Sequence, residues 1–549
     1  MSALKYWTNR PRGDSRTGKF APKIWHRLAA CSLAALTVCA AVSSLGEPTA
    51  ARDKARSRAE RALREGEFET AEKLFREILS RDGANIDARL GLSYTLLKQR
   101  NIRDAYDHAA RVLSVEPLSA RAHSLLGSAL LAGGDFRLSV EEFRTALTLR
   151  ENDALAIAGL AMIDFYEGRV SSSLSGLRRA VLLDSQEPDF IFNLAQAAAR
   201  TERYKEAADA YERFLNIAPR TDADRRDRIR GLIDFLRYLG HQTALYVVGG
   251  QNRTVVPFEL PDNRPIIQVR LNGQKEPFRF VLDTGSGISV ISDVTAERLS
   301  MKPVARGGLA RAVGGGGKFE IVYGFLDSFE IGDVKISNVP VYLRKFFGTE
   351  NPVDGYIGLA VINKFLTTVD YGLKSFELIR EKGRDTDSVV VDPNVLEFPM
   401  RITSSGFLSS EVTLDGISRP LNFIVDTGAS ISVLSASLLK TENFSTVARS
   451  GRMRVFGAAG VADDVETLLL PRLTVGPSER AAVRAVVLDL EPLNETTGFI
   501  QNGIIGGNFL RHYRVTFDFV RGVVQLAPEH PVKVDKEEPP VRPSGAAIS

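Results

Sequence analysis

The sequence predicts a multidomain chain in which an all-α solenoid is followed by an all-β bilobed domain. Three observations carry that prediction. Residues 52–221 repeat one pattern of small and large side chains five times at a period of 34. After residue 241 the apolar pattern changes from helical to alternating. Within the alternating part, residues 278–292 (FRFVLDTGSGISVIS) return at 421–435 (LNFIVDTGASISVLS), with eight of fifteen positions identical at an offset of 143.

The chain has 549 residues, enough for about three or four domains. With 44% hydrophobic and 25% charged residues it has the composition of globular protein. The net charge of +4 is local: residues 1–27 carry seven Lys/Arg and one Asp, and the remainder is slightly acidic. That distribution marks a basic leader rather than a nucleic-acid-binding surface. The two cysteines, Cys31 and Cys39, both fall in one apolar stretch near the N-terminus. The rest of the chain therefore holds no disulfide framework, thiolate metal site or cysteine nucleophile. Its six histidines show no HExxH or HxxxH spacing, so no metal site and no cofactor are expected.

In chain order, the first element is the basic leader, residues 1–27. Residues 28–46 (LAACSLAALTVCAAVSSLG) carry no charge and would measure roughly 28 Å as a helix, about the thickness of a bilayer's hydrocarbon core. With Lys19, Lys23 and Arg27 before it, the stretch reads as a membrane anchor or as a cleaved signal peptide. Either reading leaves the leader cytoplasmic and carries the rest across the membrane. Together with the cysteine-free body, this places the protein on the periplasmic side of a bacterial envelope.

The repeats come next. One column reads Ala59, Ser93, Gly127, Ala161 and Ala195; a second reads Ala71, Ala105, Ser139, Ser173 and Ala207. Four residues on, Phe75, Ala109, Phe143, Leu177 and Tyr211 supply larger side chains. Small residues let paired helices touch, and large ones fill the gap to the next pair. Residues 222–240 read as a closing helix with a polar outer face. The array resembles the tetratricopeptide repeat. That resemblance implies a concave surface for a protein partner or a peptide; a spacer between membrane and β domain is the other role such an array can play.

The duplicated halves run over 241–395 and 396–527. Their hairpin signals correspond (Asn272-Gly273 and Asp415-Gly416), as do their glycine-rich segments 312–317 and 455–460. Farther on the offset drifts to 148, where 356–371 aligns with 504–519 without gaps. Residues 528–549 are rich in proline and charge and read as a disordered tail.

Each half presents an Asp after an apolar strand, followed by Thr-Gly. If the halves pack about a pseudo-twofold axis, Asp283 and Asp426 meet on it. Two carboxylates that close share one proton, so one serves as base and the other as acid, with a water between them. Other chemistries fit less well. No histidine lies near a Gly-x-Ser-x-Gly, and the glycines 314–317 lead into Lys318-Phe319, not the Lys-Ser/Thr of a phosphate loop.

These features resemble the aspartic peptidases over about residues 255–527, with half-domains closest in size to the retroviral type but joined in one chain. The resemblance implies catalysis by Asp283 and Asp426. It also implies active-site loops shaped by Thr284, Gly285, Ser286, Thr427, Gly428 and Ala429, and flaps at Gly314, Gly315, Gly316, Gly457 and Gly460. Ile357-Gly358 and Ile505-Gly506 match the apolar-Gly element behind each loop. The expected function is an endopeptidase hydrolysing extended polypeptide segments, active as a monomer because one chain holds both halves. The competing reading is an inactive peptidase-like platform on a protein-binding scaffold. Asp→Asn variants and a statine-type inhibitor separate the two.

Overall fold

The computed structural model describes residues 49–220, 223–315, 318–347, 351–380, 396–441, 448–528 and 546–547. The leader 1–27, the stretch 28–46, Gly316 and most of the tail 528–549 lie outside them. Among the described residues no helix is long and apolar enough to cross a membrane.

Ten helices form five antiparallel pairs: α1 (Thr49–Glu65) with α2 (Phe68–Arg81), α3 (Ile86–Lys98) with α4 (Ile102–Leu113), α5 (Ala120–Gly133) with α6 (Phe136–Leu149), α7 (Ala154–Tyr166) with α8 (Val170–Leu183), and α9 (Pro188–Arg200) with α10 (Tyr204–Ile217). Asn85, Asn101, Asp135 and Asp153 cap α3, α4, α6 and α7 by accepting from the backbone N–H three residues on. The small-residue columns act as the sequence predicts. A Cβ on Gly127 would lie 2.8 Å from the Phe143 ring, and one on Gly159, which stands outside those columns, only 2.1 Å from it. Phe143 thus fills the seam between two pairs that only glycine leaves open.

Helix α11 (Ala223–Gly240) closes the array, as expected, with Asp227, Arg230, Asp234 and Arg237 along an exposed polar face, but a further part of its surface is covered by the β domain. Phe235 stacks on Tyr323 with ring centroids 4.2 Å apart. A Cβ on Gly231 would stand 2.0 Å from the carbonyl oxygen of Arg306. The polar composition of 222–240 conceals a narrow apolar stripe that docks onto the β domain. A second contact inserts Phe499 of the β domain into the solenoid core, 4.9 Å from Phe136 and 5.0 Å from Tyr166. There the Ile500 N–H donates to Ala132 O at 2.9 Å. The array is therefore packed directly against the β domain.

From Val247 onward the chain is mostly strand, interrupted by short helices such as Asp293–Arg298 and Glu491–Thr497. Each half has its own sheet, of eight and nine strands, and a six-stranded antiparallel sheet joins them. Its central pair, Phe365–Asp370 with Tyr513–Asp518, sets Thr368 directly opposite Thr516, their hydroxyls 2.9 Å apart. Those threonines are 148 residues apart in sequence, so the pseudo-twofold axis passes between them. A single hydrophobic core runs through both halves. At the C-terminal end, Ala546–Ala547 pair in parallel with Val455 and Phe456, where composition predicts no element. The bond is made by an unpaired strand edge, which needs no side-chain pattern.

Candidate active site

In each half the Asp-bearing loop is fixed from behind by a parallel strand. Phe278–Leu282 pairs with Gly355–Ile357, and Leu421–Val425 with Gly503–Ile505. The ladders end in matching bonds: the Asp283 N–H donates to Ile357 O at 3.1 Å, and the Asp426 N–H to Ile505 O at 3.0 Å. Gly358 and Gly506 follow. A Cβ on either would fall 2.5–2.6 Å from the carbonyl carbon of Ile288 or Ile431, so glycine alone admits the loop that crosses there. The strand places the Asp backbone, and the glycine seats its loop.

The two loops are then laced to each other. The Thr284 hydroxyl donates to Val425 O at 2.6 Å and accepts from the Thr427 N–H at 3.1 Å. The Thr427 hydroxyl donates to Leu282 O at 2.7 Å and accepts from the Thr284 N–H at 3.2 Å. Both threonines are buried to within 1% of complete. This reciprocal lock explains why Thr follows each Asp: only a hydroxyl both donates and accepts from one atom.

The carboxylates of Asp283 and Asp426 converge on one residue. Asp283 Oδ1 accepts from the Gly285 N–H at 2.9 Å. A Cβ on Gly285 would sit 2.4 Å from the Asp426 carboxyl carbon. Asp426 Oδ1 also accepts from Gly428 at 2.7 Å and from Ala429 at 3.1 Å. Both aspartates are only 2% exposed. The loops differ at the next position: the Ser286 hydroxyl donates to Ile288 O at 3.0 Å, whereas Ala429 is buried in apolar surroundings.

The glycine-rich segments form the tips of two hairpins, Ala305–Arg311 with Lys318–Ile331 and Ala448–Gly457 with Gly460–Val475. The tips meet backbone to backbone. A Cβ on Gly314 would lie 2.9 Å from Gly457 Cα, and one on Gly315 2.6 Å from Gly460 Cα; both Gly314 and Gly315 have positive φ. Val313, 5% exposed, joins from the first tip the apolar cluster of the second half that contains Ile424, Ala429, Ile431 and Ile504.

Several residues around the site are not legible as functional in the sequence. Arg344 lines the cleft, its guanidinium 5.3 Å from the Phe319 ring centre and 5.9 Å from that of Phe346. Its Nε has no hydrogen-bond partner among the described residues. Burial lowers its pKa, and nearby Tyr356 and Asp283 oppose that shift. Strand register equates Arg344 with Leu488: Arg344 stands opposite Ser292, and Leu488 opposite Ser435, 143 residues later. Arg264 is 1% exposed and lies beside Tyr356 and 3.9 Å from Asp262; its Nε and both Nη atoms have no hydrogen-bond partner among the described residues. Burial raises the Tyr356 and Tyr371 phenols above their usual range. A comparison of the halves could have exposed Arg344, but it lies where their offset drifts.

Comparison with known proteins agrees with this organisation. The family model described as aspartyl protease matches residues 267–361 and 410–509. Three tetratricopeptide-repeat models match 62–129, 120–153 and 159–223. No curated protein matches the chain. Among solved structures, an aspartic proteinase from Irpex lacteus is similar at 15% identity and a TM-score of 0.35, over 51% of this chain and 98% of its own. A thermophilic tetratricopeptide protein from Thermus thermophilus is similar at 19% identity and a TM-score of 0.29, over 33% and 98%.

Proposed function

We propose that this chain, an aspartyl-protease-type module joined to tetratricopeptide repeats, is an aspartic endopeptidase acting on extended polypeptide segments. The observation that carries the proposal is the convergence of Asp283 and Asp426 on Gly285, from loops locked together by Thr284 and Thr427. Two buried carboxylates at such range hold a single proton between them. The ionised one takes a proton from a water, whose oxygen attacks the scissile carbonyl carbon. The protonated one donates to the carbonyl oxygen, and the leaving nitrogen is protonated from the same pair. The pair titrates as a unit, so the roles belong to the pair and not to one residue.

The flaps lie over this dyad and bond the substrate backbone as an added strand, which selects unfolded or loop segments. Thr284, Gly285, Ser286, Thr427, Gly428 and Ala429 shape the floor; Gly314, Gly315, Gly457 and Gly460 shape the roof. No cofactor is required, and one chain is sufficient.

A peptide-library digest from about pH 3 to about pH 8, with and without a statine-type inhibitor, tests the reading. Inhibitor-sensitive cleavage supports it. Absence of both cleavage and inhibitor binding would favour an inert platform on a binding scaffold. The basic leader and the uncharged stretch 28–46 further support placing the module on the periplasmic side of a bacterial envelope. A topology reporter fused after Ser549 should be active only if that placement holds.

A further inference from the structure

The repeat array and the active-site loops share one cavity, which reaches Asp426 of the dyad. About 1540 Å³ in volume, it is bounded at one end by Gly285, Ser286, Gly287 and Asp426, under the flap residues Val313 and Ala458. At the other end it is bounded by Tyr94, Lys98, Asn193 and Gln196 on the first helices of the repeats. That exceeds the 300–1,000 Å³ typical of a small-molecule pocket.

The walls between the two ends are built from both domains. On one side, Arg200 of α9 donates to Thr403 O at 2.7 Å, and the same 403–407 loop packs Gly406 against Gly287 beside the dyad. Next to it the helix Glu491–Thr497 receives Arg100 of the solenoid at Glu491, 3.3 Å, and Arg311 of the first flap at Glu495, 3.1 Å. On the other side α11 holds the first flap hairpin through Gly231, Phe235 and Arg228, whose Nη1 donates to Leu309 O at 3.1 Å. The far end is crossed by a bridge from α3 to α9: Lys98 Nζ lies 2.6 Å from both Glu187 Oε1 and Asp189 Oδ2, and the Tyr94 hydroxyl donates to Glu187.

We propose that the concave face of the solenoid is the outer half of the substrate channel, so that the substrate is a long unfolded chain held simultaneously at the dyad and along the repeats. The proposal rests on the peptidase reading and deepens it. Its occupant follows from continuity: the cavity runs from the dyad into the groove of the repeats, so a strand lying across the dyad extends directly onto them. The groove holds the half-buried Phe192 ring together with the amides of Asn193 and Gln196, which can bond a peptide backbone regardless of sequence. Helices about 9 Å apart and an extended rise of about 3.3 Å give roughly three substrate residues per helix crossed. Short peptides therefore forgo most of the contact.

The test compares a peptide of about eight residues with the same core extended by about ten residues at each end. The long peptide should have at least a tenfold higher kcat/KM, carried by KM. Gln196→Trp, and Asn193→Trp as a second variant, should reduce the long-to-short ratio at least tenfold. Benzoylphenylalanine placed at Gln196 in the Asp283→Asn chain should crosslink to the long peptide. If the short peptide is cleaved while the ratio stays near one and no crosslink forms, the channel is wrong and the peptidase stands. If the long peptide crosslinks but neither peptide is cleaved by the unaltered chain, the channel is supported and the peptidase reading fails.

Discussion

Thr284→Val probes the lock between the two halves with little change in shape. Valine keeps the volume but removes a hydroxyl that donates to Val425 O and accepts from the Thr427 N–H. Both partners then stand buried without a hydrogen bond. Each such group costs about 1–3 kcal/mol, so the variant should lose about 2–6 kcal/mol. That is a large share of the 5–15 kcal/mol that stabilises an ordinary domain. Thr427→Val should lose a similar amount, because its hydroxyl serves a separate pair, Leu282 O and the Thr284 N–H. Thr284→Ser keeps the hydroxyl and should stay close to the unaltered protein. Urea unfolding followed by hydrogen exchange of the strands Phe278–Leu282 and Leu421–Val425 reads the module directly, since the tyrosines are divided between solenoid and module and Trp7 and Trp25 both lie in the leader. Turnover should fall by about a hundredfold at temperatures where the variant is still folded, because a displacement of about 1 Å at a reacting pair is that costly. A Thr284→Val protein with unchanged midpoint and full turnover would show that the cross-loop hydroxyls do not hold the carboxylates in place.

Three further outcomes are expected. Gly231→Ala sets a methyl against the Arg306 carbonyl and should free the first flap hairpin from α11; hydrogen exchange across 305–311 should rise and peptide turnover fall, and unchanged exchange would contradict the clamp. Arg344→Leu, which copies Leu488 of the other half, should remove a preference for an acidic substrate side chain by about tenfold in a peptide library, a charged hydrogen bond being worth about 1.5–3 kcal/mol. In the solenoid, burial and the charges of Arg89, Arg111 and Arg76 lower the His108 pKa. The unfolded chain therefore takes up the proton first, so stability is full above about pH 6.5 and is lost as pH falls through the lowered value. His108→Gln should flatten that part of the thermal-melt profile.

The sequence showed those features that recur. The 34-residue columns located the helix pairs because close packing demands small residues at fixed spacing, as at Gly127 against Phe143. The duplicated Asp-Thr-Gly loops located the site because the same strand–loop geometry was needed twice. What stayed hidden was asymmetric. Arg344 stands where the other half has Leu488, and Arg264 has no repeating pattern to announce it. The docking of α11 on the first flap depends on Gly231 and Phe235, two residues within a helix whose charge marks it as solvent-facing. Nor does any periodicity show that Phe499 of the β domain completes the core of the solenoid.

Peptide turnover by the purified chain, measured beside Asp283→Asn and Asp426→Asn prepared identically, goes straight to the shared dyad. Each single substitution should abolish cleavage while leaving the fold and the binding of the uncleaved peptide intact. Full turnover by either variant would mean that one carboxylate suffices, and the two-lobed mechanism would have to be abandoned.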